Sequence, residues 1–170
     1  MKGQDLLVLL KLAVLDEATW SYSQLSSELN LSASEVHAAI KRSMASGLYN
    51  PLTKKPNRVA LEEFLRHGLR YVFPAQPGPI KQGLPTSYAA EPLKNRILYS
   101  ENEAPVMPLL RGPARGPEIE PLYRSAPIAA SKDPRLHRLL ALVDALRSGR
   151  ARERKLAGDM IAQELQEVTF

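Results

Sequence analysis

Eleven of the chain's 14 prolines fall between Pro74 and Pro127. Proline removes a backbone donor and pushes the residue before it out of the helical region. A long helix or a central strand therefore cannot cross this window, and the long helices must lie on either side. The chain divides accordingly into 1–73, 74–131 and 132–170. The middle segment also carries Gly78, Gly83, Gly112 and Gly116. Its apolar content, including Leu84, Tyr88, Leu93, Ile97, Val106, Leu109 and Ile119, is too high for a solvated linker. The expectation is an extended, largely irregular segment laid along the globular parts, with one short helix near Glu91–Leu98. Arg111 and Arg115, in a Gly/Pro frame, can reach a phosphate or serve as solubilising charges.

The flanks read as helices, so the fold class is mainly α. Residues 3–16 are apolar on almost every side, with Leu6, Leu7, Val8, Leu9, Leu10, Leu12, Ala13, Val14 and Leu15. Such a helix must be buried all round. Two covers are open to it: other helices of the same chain, or a second protomer. At the other end, Asp133 is an N-cap and Pro134 a first helical residue. Leu136, Leu139, Leu140, Val143 and Leu146 form a stripe that Gly149 ends. A second helix, about Ala151–Glu167, completes a C-terminal helical hairpin, suited to dimerisation or to receiving a signal. Arg147, Arg150, Arg152, Arg154 and Lys155 crowd its turn. Cations are disfavoured at a helix N-terminus, so an acidic neighbour or a phosphate is expected there.

The stretch Trp20–Asn50 carries the most specific pattern. One helix is predicted over Ser21–Leu29, with Ser21 as N-cap, and a tight turn at Asn30–Leu31. A second helix starts at Ser32 or Ser34, runs over about 33–46 and closes at Gly47, which accepts a left-handed conformation without penalty. Val36, Ile40 and Met44 share its inner face, with Ala39 beside them. His37, Ala38, Lys41 and Arg42 are left outside. Trp20 is expected to staple the start of the first helix against Leu25. A wing would follow: Leu48–Leu52 as a strand, Thr53–Pro56 as its turn and only Asn57–Val59 for the return. That is short, so a stunted wing or a plain basic loop is expected. Residues 58–69 then form a helix through Leu61, Phe64, Leu65 and Leu69, capped by Gly68, and Tyr71–Phe73 form a short strand.

Leu25, Leu29, Leu31, Ser32, Val36, Ile40 and the closing Gly47-Leu48 resemble the winged helix-turn-helix of bacterial transcription regulators of the MarR-like and ArsR-like kind, over about residues 4–70. Ser26 or Ser27 stands where many such motifs carry Ala, and Asn30 where many carry Gly. The resemblance implies a second helix lying in a major groove, with Ser32, Ser34, Glu35, His37 and Ala38 towards base edges. It places Lys41 and Arg42 towards phosphates, with Lys54, Lys55 and Arg58 as further backbone contacts. Arg150, Arg152 and Arg154 are additional candidate phosphate contacts. In the resembled regulators the terminal helices often build a homodimer, which would read two half-sites about one helical turn apart.

The formal charge of +5 fits a nucleic-acid partner without requiring one, and it is spread along the chain. Any basic patch must therefore be assembled by folding or by dimerisation. With no cysteine, disulfides and cysteine metal sites are excluded. Lys11 interrupts the N-terminal apolar run, which is too short to span a bilayer, so a cytoplasmic protein without membrane association is expected. His37, His67 and His137 are scattered, and no phosphate-binding, dinucleotide, nucleophile-elbow or metalloprotease motif is present. No catalytic residue, metal or cofactor is assigned. The expected function is a sequence-specific double-stranded-DNA-binding regulator, a repressor or autoregulator of the kind that also serves toxin–antitoxin or defence operons. The second reading is a protein-interaction adaptor or antitoxin, whose helix pair and Pro-rich segment bind a protein.

Overall fold

A computed structural model of the chain describes residues 1–15 and 19–166. The protein is mainly helical with a small antiparallel sheet. Its helices are α1 (Gly3–Leu15), α2 (Tyr22–Leu29), α3 (Ala33–Ala45), α4 (Arg58–His67), α5 (Leu69–Val72), α6 (Ala126–Lys132), α7 (Pro134–Ser148) and α8 (Ala151–Gln166). Strands β1 (Tyr49–Asn50) and β2 (Lys55–Pro56) form a hairpin; β3 (Ile80–Pro85), β4 (Val106–Pro108) and β5 (Ala114–Pro117) form the sheet, in the order β4-β3-β5. Asp16 and Glu167, the expected last residues of the first and last long helices, lie outside the described residues.

Every residue of α1 from Gln4 to Val14 is buried. The helix packs on α2, α3 and α7, so a single chain covers all its sides. Two of its buried residues are charged: Asp5 is fully buried and Lys11 is 5 % exposed. A buried charge is tolerated only when it is paired. Arg42 on α3 supplies the partner for Asp5, its Nε 2.9 Å from Oδ2 and its Nη2 2.8 Å from Oδ1. The same Nη2 donates to Gln4 Oε1 at 2.9 Å. Lys11 Nζ lies 3.0 Å from Glu28 on α2 and 2.7 Å from Asp133 at the start of α7. Burial alone would lower the Lys11 pKa, but the hydrogen bonds and charges of Asp133 and Glu28 outweigh it and raise it. Burial works on Asp133 in the opposite sense, and Lys11 with the α7 amides outweighs it, holding the carboxyl below 3.8.

Asp133 has a second task. Its Oδ1 accepts from the amides of Arg135 and Leu136, capping α7, while Pro134 takes the first helical position. The helix α7 is buried over Leu139–Arg147 and packs along α8. Arg147 therefore does not join a surface cluster: its guanidinium bonds the carbonyls of Phe73 and Glu120 and the Asp144 carboxylate at 2.8–3.0 Å.

The middle segment departs from the expected irregularity, because it holds the three-stranded sheet. The prolines permit this by standing at strand ends: Pro85, Pro108 and Pro117 are the last residues of β3, β4 and β5. At the centre Gly83 faces Pro108 on one side and Ala114 on the other. A Cβ on Gly83 would lie 2.0 Å from the Met107 carbonyl oxygen, so only glycine allows this crossing. Residues 91–96 form successive turns, not the expected helix, and Tyr71–Val72 end α5 instead of starting a strand. Leu69 is buried while Tyr71 and Val72 are exposed, so one buried side chain fixes that turn. Buried side chains from all three segments form one continuous cluster, from Leu6 through Leu93 and Met107 to Leu165.

Two measurements test the charged anchors of α1. Arg42→Ala leaves Asp5 buried without its cation, and should lower unfolding free energy by roughly 2–4 kcal/mol in urea titration, somewhat less than for a fully buried pair. The stability that Asp133 contributes is present above its ordinary value of 3.8 and lost as pH falls through its lower folded value. Unfolding stability should therefore drop in that acid range, and Lys11→Met should make the drop shallower.

Candidate nucleic-acid interface

The helix α3 is fixed at both ends by its own sequence. Of the two candidate caps it uses Ser32. The Glu35 amide donates to Ser32 Oγ at 3.1 Å, and the Ser32 amide donates to Glu35 Oε2 at 2.7 Å, a reciprocal capping box. The backbone bond from Ser32 is the main cause of a lowered Glu35 pKa, helped by the Ser32 and Tyr123 hydroxyls and the charge of Arg124. At the other end the Leu48 amide reaches the Ser43 carbonyl at 2.9 Å and the Gly47 amide reaches Met44 at 3.1 Å. Gly47, at φ +78, makes this closure possible. Before α3, Asn30 adopts the left-handed conformation (φ 52, ψ 46) that joins it to α2 in a tight turn.

Between these ends the helix is two-sided. Val36, Ala39, Ile40 and Ser43 are buried. Ser34, His37 and Lys41 are exposed along the opposite side, with Ala38 half-buried between them. Met44 falls with the exposed residues at 42 %, not on the buried stripe, because Leu48 and Tyr49 close the core beyond it. His37 lies 5.5 Å from the Tyr22 ring, and Tyr22 is set edge-on to Trp20 at 5.3 Å. Trp20 turns to the hairpin: its Nε1 donates to the Lys54 carbonyl at 3.1 Å.

The hairpin after α3 is short. Tyr49 pairs with Pro56 and Asn50 with Lys55. Asn50 Oδ1 accepts from the Leu52 amide at 2.9 Å, starting a turn in which Lys54 takes φ 56. The return strand lies two residues earlier than expected, because Asn57 is needed as N-cap of α4, accepting from the Ala60 amide.

The expected basic residues separate into two groups. Lys41 and Lys54 are exposed, and Lys55 is half-buried in β2. Arg42 is committed to Asp5 and Gln4. Arg58 is committed to carbonyls, donating to Leu165 at 2.8 Å and Ala13 at 3.0 Å. Arg150 and Arg152 are exposed at the start of α8, while Arg154 donates to the Gly149 carbonyl at 2.7 Å. Folding adds two cations that sequence spacing did not suggest. Arg124 is exposed and acts on Glu35 at the α3 N-terminus, where Tyr123 donates to Glu35 Oε1 at 3.3 Å. Lys132 donates to Asn30 Oδ1 at 3.2 Å, beside the α2–α3 turn. Both lie more than 80 residues along the chain from their partners, a pairing invisible to local pattern.

Among the described residues no three His, Cys, Asp or Glu side chains converge as a metal site, and no helix is long and apolar enough to cross a membrane. No family model, curated protein or solved structure matches the chain.

Ser32→Ala removes one half of the α3 capping box. It should lower stability by about 1 kcal/mol in chemical denaturation.

Proposed function

We propose that the protein is a sequence-specific double-stranded-DNA-binding transcription regulator, a repressor or autoregulator, with α2 and α3 as a helix-turn-helix and the Tyr49–Pro56 hairpin as a stunted wing. The observation that carries this reading is the two-sidedness of α3. One side is locked into the core, and the other presents small and polar residues, Ser34, His37 and Ala38, with Lys41 beyond them. Small residues allow a helix to sit deep in a major groove. His37 and Ser34 can bond base edges, and Ala38 can touch a thymine methyl. In this reading Lys41, Lys54, Arg124 and Lys132 meet phosphates and fix the register. Arg42 and Glu35 act one step back, holding the helix by its Asp5 pair and its cap. A homodimer would double these contacts on a palindromic site.

An adaptor reading has one observation of its own. Leu52, on the hairpin turn, is 93 % exposed, and an apolar tip suits a protein surface better than a phosphate.

The two readings separate in fluorescence anisotropy with a duplex from upstream of the protein's own gene and a scrambled control, over a salt series. Preferential binding should weaken steeply with salt. Lys41→Glu should abolish the preference, while changing stability by no more than about 0.5 kcal/mol. Arg124→Ala should weaken every duplex alike and reduce the salt slope by about 1. Arg42 is unsuited to this test because its loss acts on stability. Uniformly weak binding to all duplexes at low salt, unchanged by Lys41→Glu, would overturn the DNA reading; capture of a protein partner that survives both salt and Lys41→Glu would establish the adaptor.

A further inference from the structure

A second site lies away from α3, where the middle segment meets the α7–α8 turn. A cavity of about 190 Å³ is lined by Ser87, Tyr88, Ile97, Tyr99, Ile119 and Glu153, among others. Two polar atoms on its lining residues are buried without any hydrogen-bond partner: Ser87 Oγ and Glu153 Oε2. Ser87 is 1 % exposed and is held at φ 55, a conformation that serine seldom adopts. Unsatisfied buried oxygens and a strained backbone are both destabilising, and they coincide at one hollow. Neighbouring contacts fix that Ser87 geometry. The Thr86 hydroxyl donates to Asp144 on α7 at 2.6 Å, and His137 Nε2 donates to the Pro85 carbonyl at 2.7 Å. Tyr88 and Tyr99 stand 5.2 Å apart and give the hollow an aromatic wall, with the Tyr88 hydroxyl turned to the Glu103 carbonyl.

The hollow opens on a groove of about 360 Å³ lined by Arg96, Arg150 and Arg152, and the two share Ile97, Leu98, Arg150 and Glu153. The groove by itself falls in the range of roughly 300–1,000 Å³ usual for small-molecule sites. All three arginines are exposed, and among the described residues none makes an ion pair. An inner chamber with a carboxylate, a buried hydroxyl in its wall and aromatic faces thus adjoins an outer groove lined by three guanidinium groups. We propose that this is a nucleotide site, with the base against Tyr88 and Tyr99 in the cavity and the phosphates on Arg96, Arg150 and Arg152. A carboxylate accepts and does not donate, so Glu153 favours a base that presents N–H donors, of which guanine offers two adjacent ones. Ser87 completes the base edge, and the guanidinium forks suit phosphate oxygens. The site does not depend on the DNA-binding reading, since it shares no residue with α3 or the hairpin.

Titration calorimetry of the full chain with GDP, with pyrophosphate and ADP as controls, tests it. GDP should bind, and pyrophosphate should bind more weakly. Glu153→Gln keeps the shape of the side chain and should weaken GDP by about tenfold while leaving pyrophosphate unchanged, as expected for a lost charge-assisted bond. Arg150→Glu with Arg152→Glu should weaken both anions. Ser87→Ala removes an oxygen that no protein group bonds, so it should weaken GDP without lowering the melting temperature; a merely structural serine would do the reverse. Absence of GDP binding would overturn the proposal. So would equal affinity for GDP and pyrophosphate with no effect of Glu153→Gln, which would reduce the site to an anion groove. If the arginine variants instead weaken only duplex binding, the groove belongs to the DNA footprint and the nucleotide assignment falls.

Discussion

The structure depends on two charges buried in an otherwise apolar helix. Hydrophobic burial would hold α1 in the centre of the molecule, but it is non-directional and would not say which neighbour lies where. Asp5 and Lys11 supply that direction. Asp5 binds Arg42 and so fixes α3; Lys11 binds Glu28 and Asp133 and so fixes α2 and the start of α7. Each charge is stable inside only if its partner arrives, so a packing that misplaced a helix would leave an unpaired ion in the core. The same carboxylate that receives Lys11 caps α7, which joins helix placement to helix initiation through Asp133.

Local chemistry was legible in the sequence. Ser21 and Asp133 cap the helices that follow them, and Asn30 and Gly47 take the left-handed turns expected of those residue types. These features are decided within a few residues and need no tertiary information. The placement of charge was not legible. Lys41 and Arg42 are neighbours in sequence, yet the helix turns one outward and the other onto α1, because only the fold brings Asp5 within reach. Arg58 follows a basic loop, where its position suggests a phosphate contact, yet two distant carbonyls hold it. The prolines of the middle segment signalled interruption correctly in type but not in consequence, since strands of three to six residues can end on them.

The middle segment is more than a cover. Its Pro85–Ser87 stretch is tied to α7 through His137 and Asp144. Asp144 is wholly enclosed, and burial pushes its carboxyl up despite Arg147 and Thr86 bonding it. Arg147 extends the connection to the Phe73 and Glu120 carbonyls, so the start and the end of the Pro-rich segment are secured by one guanidinium. Further along, Tyr123 reaches the cap of α3. The segment thereby touches both the proposed DNA-reading helix and the rim of the cavity at the α7–α8 turn.

The capping box and the Asp5 pair have a consequence for how this surface can change over time. The pose of α3 is set by Ser32, Glu35, Arg42 and the buried Val36, Ala39 and Ile40. Ser34, His37 and Lys41 are exposed on the other side; Ser34 bonds the Ser32 hydroxyl and His37 lies beside the Tyr22 ring. Foldability and surface chemistry are thus written in different letters of the same helix. A lineage can rewrite what this face presents, one position at a time, without first having to repair the scaffold beneath it.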